Sequence, residues 1–526
     1  MAVYRLAVII QSSSDNDENT LLVRQTPPPK LPEEEYSNYV DSDLWDLPSA
    51  PLNPLPHGSR SSLAIDCADA CTDRLNLGAF DVDSALDQVL SQVGVGRSIE
   101  EHWVFWKYIE EPEFGPEPLV HTVFICGKLK LGDINIQGLS KWMSIQHGPE
   151  FLLEVKPGED RIGPLIAAGL LIDSADHRKW KVPQTLHCQE YPPGVTLVPL
   201  RSRTQPPFRT TNLVVIAPNN VTDGCEDSSF AAYGDALLMD PGCRSDCHTK
   251  LMEIVAALPR KLVVFVTHHH FDHVDGLSIV QKCNPDATLL AHENTMRRIG
   301  KDDWSRSHIP ISGGEVICIG GQRLEVISAL GHTDGHMALL HISTQSLIVG
   351  DHCVGQGSAV LDINSGGNMK DYFQTTYNFL ELSPHVLIPM HGRVNLWPKR
   401  MLCGYLKHRR DRESSILQAI ENGAHTLFDI LAKSYADVDK KLWIPASSNV
   451  RLHVDFLAHQ DKLPKEFSME KFKASCRLDF LSRWVWAYLK GGVISKASKL
   501  MTCKLLTAIA VVGFASFYSV KCKSST

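Results

Sequence analysis

Seven consecutive residues, Thr267-His268-His269-His270-Phe271-Asp272-His273, gather four histidines and an aspartate. Neutral imidazoles and carboxylates are the side chains that suit Zn2+ and similar divalent ions. His268 and His270 are two residues apart, so on extended backbone both point to one side. Asp272 and His273 follow at the start of the next turn. A polar surface loop would account for this stretch taken alone. Three others weigh against that reading: Gly331-His332-Thr333-Asp334-Gly335-His336, Leu347-Ile348-Val349-Gly350-Asp351 and Leu387-Ile388-Pro389-Met390-His391-Gly392. Each sets a ligand-type residue at the end of a strand-like run, as the first does after Lys261-Val266. Open α/β-type sheets collect their chemistry at such strand ends. Four converging strand tips predict a metal centre.

The elements that must position these residues read as follows. From about 185 to 395, short strand-like pieces alternate with helical segments: 211–216, 236–239, 261–266, 288–290, 324–328, 338–342, 347–349 and 386–389. Several are near-continuous apolar runs, the pattern of strands buried on both faces with helices outside. Residues 1–165 read as an α+β unit, with strand-like 103–108 and 119–128, a helical pattern over 85–93, and a Pro- and acid-rich loop over 24–60. Residues 396–465 read as a helical module: 399–422 closed by Gly423, a C-cap signal, then 425–438 and 449–459. A basic, aromatic stem is expected over 466–500. Residues 501–520 have the length of a membrane-crossing helix. Their uncharged part is 505–520, Lys504 can snorkel, and Lys521 and Lys523 flank the end.

The chain has 526 residues, a net charge of −8, 43% hydrophobic and 21% charged residues. That length suggests several domains, and the composition is that of a globular protein. The balance excludes a generally basic nucleic-acid-binding surface. Fourteen scattered cysteines read as reduced thiols, pointing to the cytosol or an organelle interior. The apolar run 6–10 is too short for a signal-peptide core and reads as a strand.

On these motifs the sequence resembles the metallo-β-lactamase fold hydrolases. T-H-x-H-x-D-H matches residues 267–273, and G-H-T-x-G-H, G-D and H-G match 331–336, 350–351 and 391–392. Asp240-Pro241-Gly242 matches an early strand-turn. The resemblance implies a four-layer αββα sandwich holding two divalent ions, expected to be zinc. It implies that His268, His270 and His332 hold one, that Asp272, His273 and His391 hold the other, and that Asp351 bridges them. The catalytic route implied is hydrolysis by a metal-bridging hydroxide, with Asp272 orienting it or taking its proton. His336 is expected to support the ligands. His269, Phe271, His292, His308, His341 and His352 are expected not to be ligands.

GHTDGHMALL, GDHCVGQGSAVLD and MKDYFQTTYNFLELSPHVLIPMHGRV resemble the β-lactamase-like endoribonuclease branch, and 396–465 resembles its winged helix. This implies a phosphodiesterase acting on single-stranded RNA. Lys399, Arg400, Lys407, Arg409, Arg410 and Arg412 could bind phosphates, or form a solvated face balanced by Asp411 and Glu413. The alternatives are an ester or thioester hydrolase of glyoxalase II type, and a membrane-tethered, non-enzymatic binding protein. Residues 1–165 resemble a degenerate Nudix domain: Asp87, Gln88, Ser91 and Gln92 stand where glutamates would hold Mg2+. The tail implies a tail-anchored protein with its catalytic domains in the cytosol, on a mitochondrial, plastid or peroxisomal surface.

Overall fold

The computed structural model describes residues 2–12, 19–56, 65–66, 75–95, 102–129, 139–144, 159–171, 180, 183, 185–218 and 229–491. Two compact units result, Met1–Arg409 and Arg410–Thr526. The candidate tail over 501–520 lies outside the described residues. Among those described, no helix is long and apolar enough to cross a membrane.

Apolar runs build the sheets of the first unit. Leu262–Phe265 and Ala236–Met239 are buried at every position and pair in parallel, as strands covered on both faces should. They lie inside a seven-stranded sheet in the order Gln189–Glu190, Val195–Arg201, Thr210–Ile216, Ala236–Met239, Leu262–Phe265, Thr288–Ala291, His308–Pro310. A six-stranded sheet runs Ala232–Gly234, Val316–Ile319, Gln322–Ser328, Met337–His341, Ser346–Gly350, Val386–Pro389. The inner faces of the two sheets share one core, in which Leu237, Val263 and Phe265 pack with Leu324, Leu339 and Ile348. Helices His248–Ala257 and Leu277–Cys283 cover the outer face of the seven-stranded sheet through Leu251, Ile254, Leu277 and Val280. Helix Met369–Leu382 buries Tyr372, Phe379 and Leu380; its Tyr372 hydroxyl donates to His352 O, and Thr375 Oγ1 donates to Leu330 O. This is the expected sandwich of two sheets between helices.

The N-terminal part of the same unit is a mixed sheet flanked by helices. Strand Val3–Ser12 pairs in parallel with Val120–Leu129 along its whole length. Alternate side chains serve opposite faces. Leu6, Val8 and Ile10 pack under helix Val82–Gln92, whereas Ala7, Ile9 and Phe124 pack with Ile162, Leu165 and Ile166. The helix buries Val82, Ala85, Leu86, Val89 and Leu90, the i, i+3, i+4, i+7 spacing of one amphipathic face. Asp81 caps it by accepting the Ser84 N–H. Two residues of this region, Phe114 and Ala167, enter the core between the two sandwich sheets.

Among its described residues the second unit is helical. Ile416, Ile420, Leu431, Val450 and Leu457 form its core. Helix Pro398–Glu421 is followed by Gly423 at φ +80°. Phe472 and Phe480 are also buried in this core, on helices Met469–Ser475 and Leu478–Gly491. The segment expected as a stem from 466 is therefore folded as far as these helices reach. Phe472 and Phe480 are core side chains of the helical unit, whereas Trp486 is exposed. The basic stripe is corrected as well. Arg409 is 1% exposed, donates to Ala359 O and lies over the Tyr372 ring. Lys407 pairs with Glu33, Arg400 Nε donates to Pro29 O, and Arg412 donates to Ser434 O and covers Tyr435. Four of the six side chains thus have partners within the protein, and Arg409 among them is buried.

Candidate metal centre

All seven candidate ligands come together. His268 and His270 leave the end of strand Leu262–Phe265, and Asp272 and His273 sit on the short helix Phe271–Val274. His332 lies in the loop after Gln322–Ser328, Asp351 directly after Ser346–Gly350, and His391 two residues beyond Val386–Pro389. Two groups result: His268, His270, His332 and Asp351; and Asp272, His273 and His391. A third, His269, His270 and Asp362, shares His270 with the first.

In the first group His270 Nδ1 lies 2.9 Å from His268 Nε2 and 3.2 Å from His332 Nε2. Two nitrogens bound to one tetrahedral ion at ~2.05 Å would lie ~3.3 Å apart. Asp351 Oδ2 is 4.0 Å from His268 Nε2 and 3.9 Å from His332 Nε2. In the second group His391 Nε2 is 3.3 Å from Asp272 Oδ2. Asp351 Oδ1 reaches across, 3.3 Å from His391 Nε2 and 3.5 Å from His273 Nε2. One carboxylate thus faces both groups, one oxygen to each. His273 Nε2, His391 Nε2 and Asp351 Oδ1 are buried without hydrogen-bond partners, a costly state unless something ligates them. The residues therefore fit divalent ions.

In four of the five imidazoles the outward ring nitrogen is held, which fixes the ring and turns the other nitrogen inward. His273 Nδ1 bonds Asp240 Oδ2 at 2.8 Å, and the other Asp240 oxygen accepts the Thr267 N–H at 2.8 Å. His391 Nδ1 donates to Thr210 O at 2.9 Å. His268 Nδ1 meets Thr267 Oγ1 at 3.0 Å, and His270 Nε2 meets Asp362 Oδ2 at 3.2 Å. His336 is a support: it donates from Nδ1 to Ala329 O and accepts the Asp351 N–H at Nε2, both at 3.0 Å. His352 bonds Thr376 and stacks on Tyr372. Phe271 is 64% exposed, beside Arg203. Two glycines permit the close packing. A Cβ on Gly350, at φ +57°, would collide with His336 Nε2, and one on Gly242 with the Asp272 carbonyl.

Charge divides the site. Burial, then the neighbouring imidazoles, hold His268 and His332 well below the usual histidine range. Burial would also lower His273 and His391, but the carboxylates outweigh it. Asp351, Asp272 and Asp240 hold His273 well above its usual value, and Asp351 with Asp272 pushes His391 up to about 10. Burial opposes ionisation of Asp272 as well, yet His273 and His391 bring it down to about 2. The second group demands positive charge, from protons or from a cation.

Sequence reading missed several of these supports. Asp362, Thr210 and Asn212 carry no local signal. Asn212 is fully buried, and its Nδ2 donates to Pro389 O and Gly392 O, both at 2.8 Å, pinning the turn that bears His391. Arg393 clamps the same turn. Its Nε and Nη2 donate to Glu111 Oε1 and Oε2 at 2.6 and 2.7 Å, and it also pairs with Glu117. Glu113 O accepts the Thr210 hydroxyl at 3.2 Å, so the loop after strand Trp103–Glu110 braces the turn from the N-terminal side.

This arrangement agrees with comparison to known proteins. The family model of the metallo-beta-lactamase superfamily matches residues 232–391. The chain is similar to a "Beta-lactamase-like protein 2 homolog" of Drosophila melanogaster, 26% identical over 214 residues, which cover 38% of this chain and 69% of the relative. It is similar to an "Atrochrysone carboxyl ACP thioesterase nsrC" of Aspergillus novofumigatus, 26% identical over 165 residues, 31% of this chain and 47% of the relative. A solved beta-lactamase domain protein from Burkholderia ambifaria aligns at 17% identity and TM-score 0.45, over 56% of this chain and 95% of that one. The chain carries a metallo-β-lactamase superfamily domain. Domains of this superfamily are hydrolases, and the His and Asp groups described above are placed to hold metal ions.

Two outcomes follow for metal binding. Asp240→Asn should weaken binding at the His273 end by about 10–100-fold while leaving the fold intact. Competition with a chromophoric chelator reads this, and unchanged affinity would remove Asp240 from its positioning role. Because His273 and His391 carry protons near neutral pH without metal, binding there must release them. Metal affinity should therefore rise with pH from 6 to 8, and calorimetry in buffers of different ionisation enthalpy should register proton release. A flat pH dependence would contradict the charge division.

Proposed function

We propose that the chain hydrolyses phosphodiester bonds of single-stranded RNA at a centre for two zinc ions. What carries the reading is Asp351, whose two oxygens face the two ligand groups separately. Divalent ions held there supply a water made nucleophilic near neutral pH and compensate charge growing on the attacked group. Asp272 Oδ2, 3.3 Å from His391 Nε2, is placed to orient that water and take its proton. Buried His268, His273 and His391 form the floor. Phe271 offers an exposed ring for base stacking, beside Arg203, whose guanidinium is paired with Asp275.

A second reading, hydrolysis of a small ester or thioester, is favoured by the internal use of Lys407, Arg409 and Arg412, which engages part of the phosphate track expected along the helix. The fungal relative named as a thioesterase supports it too. Full-length protein offered a single-stranded RNA and S-lactoylglutathione in parallel separates the two. Asp351→Ala should lose metal and at least about a hundredfold in rate on the true substrate. RNA cleavage undiminished in that variant would sink the nuclease reading.

We further propose that residues 501–520 anchor the chain in a membrane, with the catalytic part in the cytosol. The full chain should resist carbonate extraction and a chain lacking 501–526 should not. Equal release of both would end this proposal.

A further inference from the structure

Away from the metal centre, the N-terminal sheet and the edge of the seven-stranded sheet enclose a cavity of about 590 Å³. Its size falls in the range of small-molecule sites, which favour such junctions. Arg5 and Thr122 are register partners on adjacent parallel strands, so both point to one face, the face that carries Phe124. Phe124, Leu165 and Val394 supply apolar wall.

The polar groups of the lining are unequally occupied. Arg393 is engaged by Glu111 and Glu117. Lys107 Nζ donates to Ala168 O at 2.8 Å, and Glu190 accepts the Gly194 N–H at 2.9 Å. Arg5 differs: among the described residues its half-buried guanidinium makes no hydrogen bond or ion pair, and it interacts through charge with the buried Asp46. Thr122 and Thr196 are 8% and 5% exposed, and their hydroxyls face the cavity without a described partner. A guanidinium and a hydroxyl side by side in a cavity with an apolar wall fit a carboxylate or phosphate head on an apolar body. Three acids also line the cavity, and among the described residues each has a partner: Glu111 holds Arg393, Glu190 accepts the Gly194 N–H, and Glu110 is bonded by Tyr108.

We propose that this cavity binds an anion-headed small molecule with an apolar body, its head held by Arg5 and Thr122 and its body lying against Phe124, Leu165 and Val394. This gives the N-terminal unit a binding role of its own, independent of which bond the metal centre cuts.

The test uses purified full-length protein and 1-anilinonaphthalene-8-sulfonate, an anionic aromatic probe that fluoresces in apolar sites. Octanoate, octyl phosphate and octylammonium are then added as competitors. Saturable binding is expected, displaced by octanoate or octyl phosphate and not by octylammonium; which of the two displaces it at lower concentration tells a carboxylate from a phosphate site. Arg5→Gln should weaken probe binding at least tenfold. The isosteric Thr122→Val should weaken it severalfold with an unchanged circular dichroism spectrum, and it decides the matter if Arg5→Gln does not fold. Wild-type affinity in both variants, displacement by octylammonium as readily as by the anions, or no saturable binding would overturn the proposal.

Discussion

Three carboxylates, the buried Asp240 and the largely buried Asp272 and Asp351, converge on the buried rings of His273 and His391. Burying an unpaired charge costs several kcal/mol, so positive charge has to be supplied. In the protein alone, protons on two imidazoles do this; a divalent ion does it with shorter contacts and frees the protons. The rest of the domain serves that constraint. Buried strands bring the ligands to one place, and hydrogen bonds to Asp240, Thr210, Thr267 and Asp362 keep the rings of His273, His391, His268 and His270 facing inward.

The two ends of the site are built differently. His268 and His332, held below the usual histidine range, cluster nitrogen to nitrogen with His270. The His273 and His391 end is anionic and braced from outside the sandwich, through Glu111 on Arg393 and Glu113 on Thr210. The order of the chain hides this, because Glu111 and Arg393 are 282 positions apart.

The ligand set was legible because each member sits in a short local pattern, a strand-like run followed at once by His or Asp. The sandwich was legible for the same reason: runs such as Leu262–Phe265 can only be covered on both sides. Partners fixed by tertiary approach were not legible. Asn212 and Asp362 look like ordinary loop and strand residues until the turn at 389–392 and His270 arrive beside them. The basic helix misled in the opposite direction. Arg409 has the residue type of a phosphate binder, yet it is buried against Tyr372 and a carbonyl, where its stem and guanidinium pack as core. The stretch after 466 misled because aromatic residues at helical spacing suit either a spacer or a core, and Phe472 and Phe480 chose the core.

Phe114 fills space between the two sheets of the catalytic sandwich, although it belongs to a loop more than a hundred residues before the segment that matches the superfamily. Strands Val195–Arg201 and Thr210–Ile216 also precede that segment and pair within the same sheet. Homology and foldability thus draw different borders on this polypeptide. An excised 232–391 fragment would expose a hole and an unpaired edge, and shuffling it onto another scaffold would demand a surrogate for both.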